Sequence, residues 1–373
     1  MIEVQRTRFR VARALKRRWE VSLPFTRKCL PGVTRTRALL LTHDNPVCHS
    51  QIYPFHYYRG ALRARYKVEF RERNVTRFLA RKRGLFEEAD IVLVQPWFTL
   101  GGAGIDRLLD EVERRCRPQR IVFLDAHAPT DLRFAKRVED RVAVYVKKHV
   151  LRDRTAYGRP TRGDTTLTDY FAPRHGIELP EVAFEVPASF FRKLLIGPSF
   201  ATAEYMLGTF LRGELRRKPM RADVHARLGR EGAPWYAAMR REAIRAAEAI
   251  DGVRVLVGKG VSKDRYLAEL EQTRLCFSPF GYGEVAFRDY EAVMCGSLLL
   301  KPDVSHVVTE PDIFVPGETY VPLRWDLGDL EEQTYRYLGD EAARASLTEN
   351  AFRVLRDYFA EQRFVTQMAR VFA

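Results

Sequence analysis

Long apolar runs and targeting segments are what this sequence of 373 residues lacks. No apolar stretch reaches the ~18 residues that a helix needs to span a bilayer. The N-terminus has no apolar core of the kind found in secretory signal peptides. No internal repeat or low-complexity segment occurs. We therefore expect a cytoplasmic globular protein rather than a transmembrane, secreted or repeat protein.

Cysteines are also few and widely separated. The five are Cys29, Cys48, Cys116, Cys276 and Cys295, and they form no Cys-x-x-Cys pair. A disulfide framework or a zinc site is therefore not expected. Cys276 and Cys295 stand among apolar residues, which is typical of small side chains in a core.

What is present is enough apolar sequence for sizeable cores. Hydrophobic residues make up 46% of the chain and aromatic residues 12%, a composition far from that of disordered proteins. The length leaves room for two ordinary domains. The formal net charge of +15 fits either a solvated basic surface or an anionic partner, such as an acidic acceptor, lipid headgroups or nucleic acid.

Basic residues are concentrated in the first 20 positions, with apolar residues between them. The charged residues there are Glu3, Arg6, Arg8, Arg10, Arg13, Lys16, Arg17, Arg18 and Glu20. Such a segment suits an amphipathic helix lying in a membrane interface, which predicts peripheral contact with the inner face of the membrane through residues 1–20. A basic helix packed on the protein, or a frayed tail, is the alternative.

Strand and helix patterns alternate along most of the chain. In the first half we predict strands at 38–42, 66–70, 91–95, 120–124 and 142–146, helices at 57–65, 105–115 and 131–138, and a long loop at 153–190. In the second half we predict strands at 221–226, 253–257, 275–278 and 297–301, and helices at 235–249, 263–271, from 285, 327–338 and 341–359. Such alternation predicts an α/β fold with parallel sheets.

The alternation restarts in the middle of the chain, so the sequence predicts two copies of one architecture. We divide it into a basic segment (1–35), a first Rossmann-like domain (36–190), a second Rossmann-like domain (191–347) and a C-terminal helix (348–373).

The most informative segment runs from Phe277 to Pro302: a buried strand, a glycine-punctuated loop, a helix and a second apolar strand. In such units the loop and the helix N-terminus lie at the carboxyl edge of a parallel sheet, where ligands bind. Gly281 and Gly283 let backbone N–H groups approach an anion. Arg288 adds a cation, and Glu291 follows one turn later on nearly the same face. Phosphate donors beside a carboxylate suit a sugar nucleotide.

The string SPFGYGEVAFRDYEAVMCGSLLLKPD resembles the donor-binding segment of GT-B glycosyltransferases of the family 1/family 4 type, and Glu291 to Gly296 matches their EAMACG signature. The resemblance implies two facing Rossmann-like domains, a nucleotide-sugar donor and a cleft between the domains. It makes residues 36–190 the acceptor domain and residues 191–347 the donor-nucleotide domain, and it implies that the C-terminal helix at 348–373 returns to the first domain. Retaining members usually carry a glutamate eight positions before the helix glutamate. That position is Gly283 here and the nearest carboxylate is Glu284, so retaining and inverting courses both stay open.

Donor-binding candidates follow from this segment and from the ends of neighbouring predicted strands. Glu291 is expected to bind donor hydroxyls, Arg288 phosphate and Tyr282 the base or sugar. Gly283 belongs to the loop. Arg227 and Lys259 follow the strands at 221–226 and 253–257 and are expected to contact the diphosphate.

Acceptor-side candidates lie at the ends of predicted strands in the first half. Asp125 and His127 follow the strand at 120–124 and are the catalytic candidates together with Glu284, since a carboxylate or a carboxylate-supported histidine suits a general base. The acceptor-binding candidates are His43, Asp44, Asp131 and Lys148.

The sequence thus predicts a glycosyltransferase, hexosyl or pentosyl, that moves a sugar from a nucleotide donor to an acceptor hydroxyl. No cofactor is expected beyond the nucleotide-sugar co-substrate, and no metal, because the chain contains no Asp-x-Asp. The acceptor is a glycan, a lipid-linked glycan or modified DNA. Two alternatives stay open: a phage-type DNA glycosyltransferase acting on a hydroxymethylated base, and a non-catalytic polyanion-binding protein on the same scaffold.

Overall fold

The structure is a computed structural model that describes residues 35–80, 88–215 and 218–373. The basic segment at residues 1–20, for which membrane contact is predicted, lies outside the described residues, as does Cys29. The other four cysteines are buried thiols, which confirms the core role expected for Cys276 and Cys295. No helix in the described ranges has both the length and the apolarity to cross a membrane.

The first half of the chain alternates strands and helices as predicted. Its strands are β1 (Thr36–Thr42), β2 (Val68–Asn74), β3 (Ile91–Val94), β4 (Arg120–Asp125), β5 (Val144–Lys147), β6 (His149–Leu151), β7 (Thr161–Arg162), β8 (Glu181–Val182) and β9 (Leu194–Ile196). Its helices are α1 (Pro46–Tyr57), α2 (Arg59–Tyr66), α3 (Val75–Ala80), α4 (Gly101–Cys116), α5 (Ala135–Val138) and α6 (Thr166–Arg174).

The first sheet has the strand order β2-β1-β3-β4-β5-β9, with all neighbours parallel. Its central strands are apolar runs because helices cover both faces of the sheet. Along β1, Leu40 packs into the cluster on one face, while Leu39 and Leu41 pack into the cluster on the other. Parallel pairing brings the carboxyl ends of β1, β3 and β4 side by side at one edge.

The second half of the chain repeats the pattern. Its strands are β10 (Ala222–Ala226), β11 (Val255–Val257), β12 (Thr273–Phe277), β13 (Leu298–Pro302), β14 (Val307–Thr309) and β15 (Val321–Leu323). Its helices are α7 (Glu204–Phe210), α8 (Pro234–Glu248), α9 (Lys263–Leu270), α10 (Phe287–Cys295), α11 (Leu330–Gly339), α12 (Glu341–Ala360), α13 (Arg363–Gln367) and α14 (Ala369–Phe372). The second sheet has the order β11-β10-β12-β13-β15 and is also parallel.

The two sheets meet at their carboxyl edges. β6 and β14 pair antiparallel, with Val150 opposite Val308, and so join the two halves through backbone hydrogen bonds. Beside this ladder, the loop after β12 touches the loop after β4: a Cβ built on Gly283 would overlap the carbonyl of Ala128. The edge where ligands bind in one sheet therefore faces the same edge of the other.

The C-terminal helices pack against the first sheet. The ring of Phe364 in α13 meets Phe55 edge to face at 5.0 Å, and Phe372 in α14 meets Phe70 at 5.5 Å. Arg120 Nη1 donates to the carbonyl of Val371 at 2.9 Å. The end of the chain thus covers the half in which the chain began.

Two helices of the first half were not predicted. The helix expected at 57–65 is confirmed as α2, but α1 precedes it. Asn45 caps α1 by accepting a hydrogen bond from the N–H of Cys48, with Pro46 in the first turn. The loop expected at 153–190 contains α6, which Thr165 caps by accepting from the N–H of Thr168.

Candidate active site

The N-terminus of α10 is fixed by a buried ion pair that the sequence did not reveal. Asp289 Oδ2 accepts from the N–H of Ala286 at 2.8 Å, and its Oδ1 accepts from Ser278 Oγ at 2.6 Å. Lys301 Nζ lies 3.1 Å from both carboxylate oxygens, and neither side chain is exposed. Asp289 therefore joins the two ends of the glycine loop, Ser278 and Ala286, to each other and to Lys301 in β13.

Glu291 lies buried in α10, where a phenol and an ammonium group surround its carboxylate. Tyr205 OH donates to Oε1 at 2.6 Å, and Lys263 Nζ donates to the same oxygen. Lys263 also sits over the rings of Tyr205 and Tyr266, at 5.0 and 4.8 Å. Burial and the nearby carboxylate raise the pKa of Tyr205, so this phenol stays a hydrogen-bond donor.

Arg288 points from α10 towards the end of β10. Its guanidinium lies 5.3 Å from the centre of the Tyr266 ring, and its Nη2 donates to the carbonyl of Arg227. Burial opposes the charge, but Tyr266, Cys276 and Glu291 together raise the pKa of Arg288. A permanently charged arginine thus lies one turn from the Glu291 carboxylate.

Arg227 and Lys259, expected to contact the diphosphate, are both paired with carboxylates in this structure. Arg227 makes two hydrogen bonds to Glu269, at 2.9 and 3.0 Å. Lys259 pairs with Glu231, and both of these side chains are exposed. A donor would have to displace these carboxylates to reach the two cations.

Arg240 in α8 is a cation that the sequence analysis missed. Among the described residues, none accepts a hydrogen bond from its buried Nε. Its guanidinium lies 5.1 Å from the centre of the Tyr236 ring, and a Cβ on Gly281 would lie 4.0 Å from its Nη2. Burial, with the charge of Arg288 adding to it, lowers the pKa of Arg240 to about 10. An arginine on the otherwise apolar face of α8, between Met239 and Ala243, was the available signal.

Tyr282 lies on the rim of the glycine loop, 44% exposed. Its ring stacks on Tyr236 at 4.4 Å with the planes 3° apart, and Trp235 meets it edge to face at 5.8 Å. The phenol oxygen accepts from the N–H of Ala233 at 2.8 Å. Since Ala233 is the N-cap of α8, Tyr282 closes a helix N-terminus that points into the cleft.

Glu284 is fully buried and reaches across the cleft. Its Oε1 accepts from Thr130 Oγ1 at 2.9 Å and from Thr166 Oγ1 at 2.7 Å, and its Oε2 lies 3.3 Å from His149 Nε2. Burial favours protonation, but His149 and the threonine hydroxyl outweigh it and lower the pKa of Glu284 to about 2. Burial lowers the pKa of His149 to about 4. An ionised carboxylate and a neutral imidazole therefore bind the two halves together.

Asp125 is held at the end of β4 by four hydrogen bonds. Lys147 Nζ and Tyr145 OH each donate to Oδ2 at 2.6 Å. The N–H of His127 donates to Oδ1 at 2.8 Å, and His127 Nδ1 lies 3.1 Å from it. Burial opposes ionisation, yet Lys147 and His127 hold the pKa of Asp125 well below its ordinary value. The carboxylate therefore orients His127 Nδ1 and leaves Nε2 for another partner.

Lys148 lies buried behind this pair. Its Nζ donates to the carbonyl of His127 at 2.9 Å and sits 4.7 Å from the centre of the Phe200 ring. Burial, with the charge of Lys147 adding to it, lowers the pKa of Lys148 to about 7. Lys148 thus fixes the backbone of His127 through this hydrogen bond.

The remaining acceptor candidates lie along the same edge. Burial lowers the pKa of His43, and among the described residues none is a hydrogen-bond partner of its buried Nε2. Asp44 is exposed and accepts from Asn74 Nδ2 at 3.1 Å. Asp131 makes two hydrogen bonds of 2.7 Å with Arg133. The roles given to these residues stay predictions, as do those of the donor candidates.

A chain of buried amides that the sequence analysis missed runs beneath this edge. Thr42 Oγ1 hydrogen bonds to Gln95 Oε1, and Gln95 Nε2 donates to Gln51 Oε1 at 2.7 Å. Gln51 Nε2 then lies 3.3 Å from the carbonyl of Asp125. The ends of β1, β3 and β4 are thereby fixed relative to one another.

No group of three or more histidine, cysteine, aspartate or glutamate side chains that could hold a metal ion occurs in the described residues. The clusters above are instead built from a carboxylate with a hydroxyl, an imidazole or a cation. They can bind hydroxyl groups, neutralise an anion and accept a proton.

Comparison with known proteins bears on both sheets. A family model described as glycosyl transferase-like matches residues 212–369. No curated protein matches the chain. A solved α-glucosyltransferase in complex with UDP and a 13-mer DNA containing an HMU base is 9% identical, with a TM-score of 0.50 over 89% of this chain and 100% of that chain. An α-glucosyltransferase in complex with UDP is also 9% identical, with a TM-score of 0.50 over 90% of this chain and 99% of that one.

At 9% identity the structural matches establish only the fold. The family match concerns residues 212–369, which contain the second sheet. The facing parallel sheets and the strand–glycine loop–helix unit at 273–295 agree with both. The chain therefore has the GT-B fold, and its residues 212–369 are similar to the glycosyl transferase-like family.

Proposed function

We propose that this protein is a metal-independent glycosyltransferase that moves a sugar from a nucleoside diphosphate sugar to an acceptor hydroxyl. In this proposal residues 36–190 form the acceptor domain and residues 191–347 the donor domain. One observation carries the proposal: Glu291, Arg288 and the glycine loop lie at one sheet edge, directly opposite the Asp125–His127 pair at the other.

The donor would bind along the second sheet. The Glu291 carboxylate, held by Tyr205 and Lys263, suits the paired hydroxyls of a ribose. Arg240 lies beside Gly281 of the loop, and Arg288 lies in the first turn of α10. Both suit the diphosphate, since charge-assisted hydrogen bonds from guanidinium groups to phosphate are strong. The backbone N–H groups of the loop and the N-terminus of α10 would add to them.

The acceptor would bind along the first sheet, with His127 as general base. Its Nε2 takes the proton of the acceptor hydroxyl while that oxygen forms a bond to the anomeric carbon. The bond from this carbon to the phosphate oxygen breaks, and the electron pair leaves on the diphosphate, which Arg288 and Arg240 stabilise. Asp125 stabilises the imidazolium that forms. Such a single displacement inverts the anomeric configuration.

Glu284 takes a positioning role in this proposal. All the hydrogen bonds described above for its carboxylate connect it to residues of the first half, so it fixes the glycine loop against the acceptor side. The overlap of a Cβ at Gly283 with the Ala128 carbonyl supports the same arrangement, because it leaves no room there for the glutamate of retaining relatives.

A thermal-shift panel of UDP, GDP, CMP and dTDP sugars tests the donor side. One nucleotide class should raise the melting temperature of the full chain, because a ligand that binds only the native state stabilises it. Glu291→Ala should abolish that shift and reduce transfer at least ~10²-fold. Glu332→Ala, an exposed carboxylate in α11, is the matched control and should change neither.

The acceptor panel should include neutral glycans and hydroxymethylated DNA, because the α-glucosyltransferase of similar fold was solved with UDP and DNA. The anomeric configuration of the product, read by NMR, tests the role of His127. A retained anomer would remove the single displacement from the proposal, and a chain that binds no nucleotide sugar would overturn the proposal as a whole.

A further inference from the structure

Two aromatic side chains lie at the acceptor edge without a role in the reaction described above. Trp97 and Phe98 follow β3, and their ring centres are 4.9 Å apart. Phe98 is 64% exposed, the largest exposure among the large hydrophobic residues in the described part of the chain. Trp97 beside it is half-buried, so the pair presents an aromatic surface to solvent at the edge of the first sheet. We call this pair the aromatic shelf.

The position of the shelf follows from the strand order. β3 lies between β1 and β4 in the first sheet, and the three strands are parallel and in register at Leu41, Val94 and Phe123. The residues that leave their carboxyl ends are therefore neighbours. The shelf emerges between His43, which follows β1, and His127, which follows β4.

The end of β3, from which the shelf extends, is held in place by Gln95. The N–H of Gln95 donates to the carbonyl of Leu41 at 2.8 Å, and its side-chain amide belongs to the chain of buried amides that ends at Asp125. The same network thus fixes the shelf and the residue that orients His127. A ring bound on the shelf would have a defined distance to the His127 imidazole.

Three cations of the acceptor side are already paired with carboxylates, which disfavours a phosphodiester on the shelf. Arg137 pairs with Asp106, Arg133 with Asp131 and Asp164, and Lys147 with Asp125. Each of these cations at the acceptor side already has a carboxylate partner, so none adds net positive charge. An aromatic face beside neutralised charges suits the C–H face of a sugar ring, while the surrounding polar groups suit its hydroxyls.

We propose that Trp97 and Phe98 form an acceptor subsite that stacks a neutral pyranose ring, so that the acceptor is a carbohydrate. This inference rests on the proposed glycosyltransferase function and names its acceptor class. The shelf holds the sugar ring, and a hydroxyl of that ring or of the next one reaches His127 Nε2. Phe98 is then a specificity-determining residue that contacts acceptor and not donor.

The test is binding of the full chain to an immobilised array of neutral oligosaccharides without donor, with a short duplex oligonucleotide as a separate probe. We expect the wild-type chain to bind a subset of the array and Phe98→Ala to bind it roughly tenfold more weakly, the scale of one aromatic contact. Phe98→Trp should restore binding. Tyr335→Ala, which removes an exposed aromatic ring far along the chain in α11, should bind as wild type.

The thermal shift with nucleotide sugars separates this inference from the function on which it rests. Phe98→Ala should keep the wild-type donor shift and, in turnover, raise KM for acceptor without changing KM for donor. A wild-type chain that binds no neutral oligosaccharide, or a Phe98→Ala chain that binds like wild type, overturns the subsite. Loss of duplex binding in Phe98→Ala, with no glycan bound, would assign the shelf to a nucleobase and overturn the carbohydrate assignment.

Discussion

The two sheet edges that face each other differ in how their charged groups are satisfied. At the first edge, Asp125 is ionised, buried and held by four hydrogen bonds. One of these involves His127 Nδ1, so His127 Nε2 takes no part in the contact with Asp125. At the second edge, Arg227 and Lys259 are bound to the carboxylates of Glu269 and Glu231. The polar groups of the first edge are thus already oriented, whereas two cations of the second edge are held by carboxylates of the chain itself.

This difference decides at which edge a ligand must displace internal partners in order to bind. In the proposed reaction, an acceptor that enters beside His127 finds this base already oriented, so little reorganisation is needed there. In the proposed binding mode, a diphosphate would gain contacts to Arg227 and Lys259 only by drawing them away from their carboxylates. Arg240 needs no such exchange at its Nε, which is buried without a partner among the described residues.

We expect the largest effect from a substitution at the first edge. His127→Ala should reduce turnover by about 10²- to 10⁴-fold, the usual contribution of a general base, while donor binding stays as in wild type. Single-turnover rates and thermal shifts with the donor measure the two quantities. His127→Ala with near-normal turnover would show that the first edge is not the catalytic one.

The second-largest effect that we expect is a loss of stability at low pH. His149 is neutral when folded because burial lowers its pKa to about 4, whereas the unfolded chain takes up a proton near pH 6.5. The free energy of unfolding should therefore fall as the pH drops from about 6.5 to 4, by on the order of 3 kcal/mol from this residue. His225, with a pKa lowered by burial to about 3, acts in the same direction.

Urea denaturation at several pH values measures this slope. His149→Gln keeps a hydrogen-bond donor near Glu284 but cannot titrate, so its slope between pH 6.5 and 4 should be shallower than that of wild type. An unchanged slope would mean that the contact between the two edges does not hold His149 neutral.

Removing the carboxylate that joins the edges should have a smaller effect. Glu284→Ala leaves the hydroxyls of Thr130 and Thr166 without their acceptor, which should lower the free energy of unfolding by about 1–3 kcal/mol. Chemical denaturation measures it, with Glu332→Ala as the exposed control. A Glu284→Ala chain as stable as this control would deny that the residue binds the halves together.

Freeing Lys259 at the second edge should increase the affinity for a nucleoside diphosphate. Glu231→Gln removes the partner of Lys259 and should tighten nucleoside diphosphate binding about two- to fivefold, as expected for an exposed ion pair. Lys259→Ala should weaken binding instead. Equal affinities for the two variants in calorimetric titration would show that Lys259 does not contact the ligand.

The smallest expected effect is none at all. The described residues contain no cluster able to hold a metal ion, so EDTA should leave transfer unchanged. Loss of turnover on chelation, with recovery in Mg²⁺ or Mn²⁺, would mean that the cations of the second edge need a metal to help them.

Much of the fold could be predicted because its signals are local. Apolar strands, glycine loops and the EAVMCG string lie within short stretches, and the expected GT-B fold is confirmed. α1 was missed because it is buried over most of its surface, from Cys48 to Phe55, and so lacks the apolar stripe of a surface helix. α6 was missed because nine residues with Pro173 near the end give a weak pattern.

The candidate site was harder to predict because its contacts are distant in sequence. Thr130, His149 and Thr166 lie 154, 135 and 118 positions from Glu284, and no local pattern brings them together. Arg240 lies beside Tyr236 and the glycine loop, and its burial depends on that tertiary packing. Sequence could name charged residues at strand ends, while the partners that restrain them depend on the tertiary fold.

The short ladder between β6 and β14 has a consequence for how the cleft can move. Two paired strands tolerate twisting far better than separation, because separation breaks backbone hydrogen bonds. Rotation about this ladder can thus part the loops at Gly283 and Ala128 while the strands stay paired. Such a rotation would break the hydrogen bonds from Thr130 and Thr166 to Glu284 and expose these groups to water. The ladder would then be the axis about which the cleft opens to admit or release a ligand.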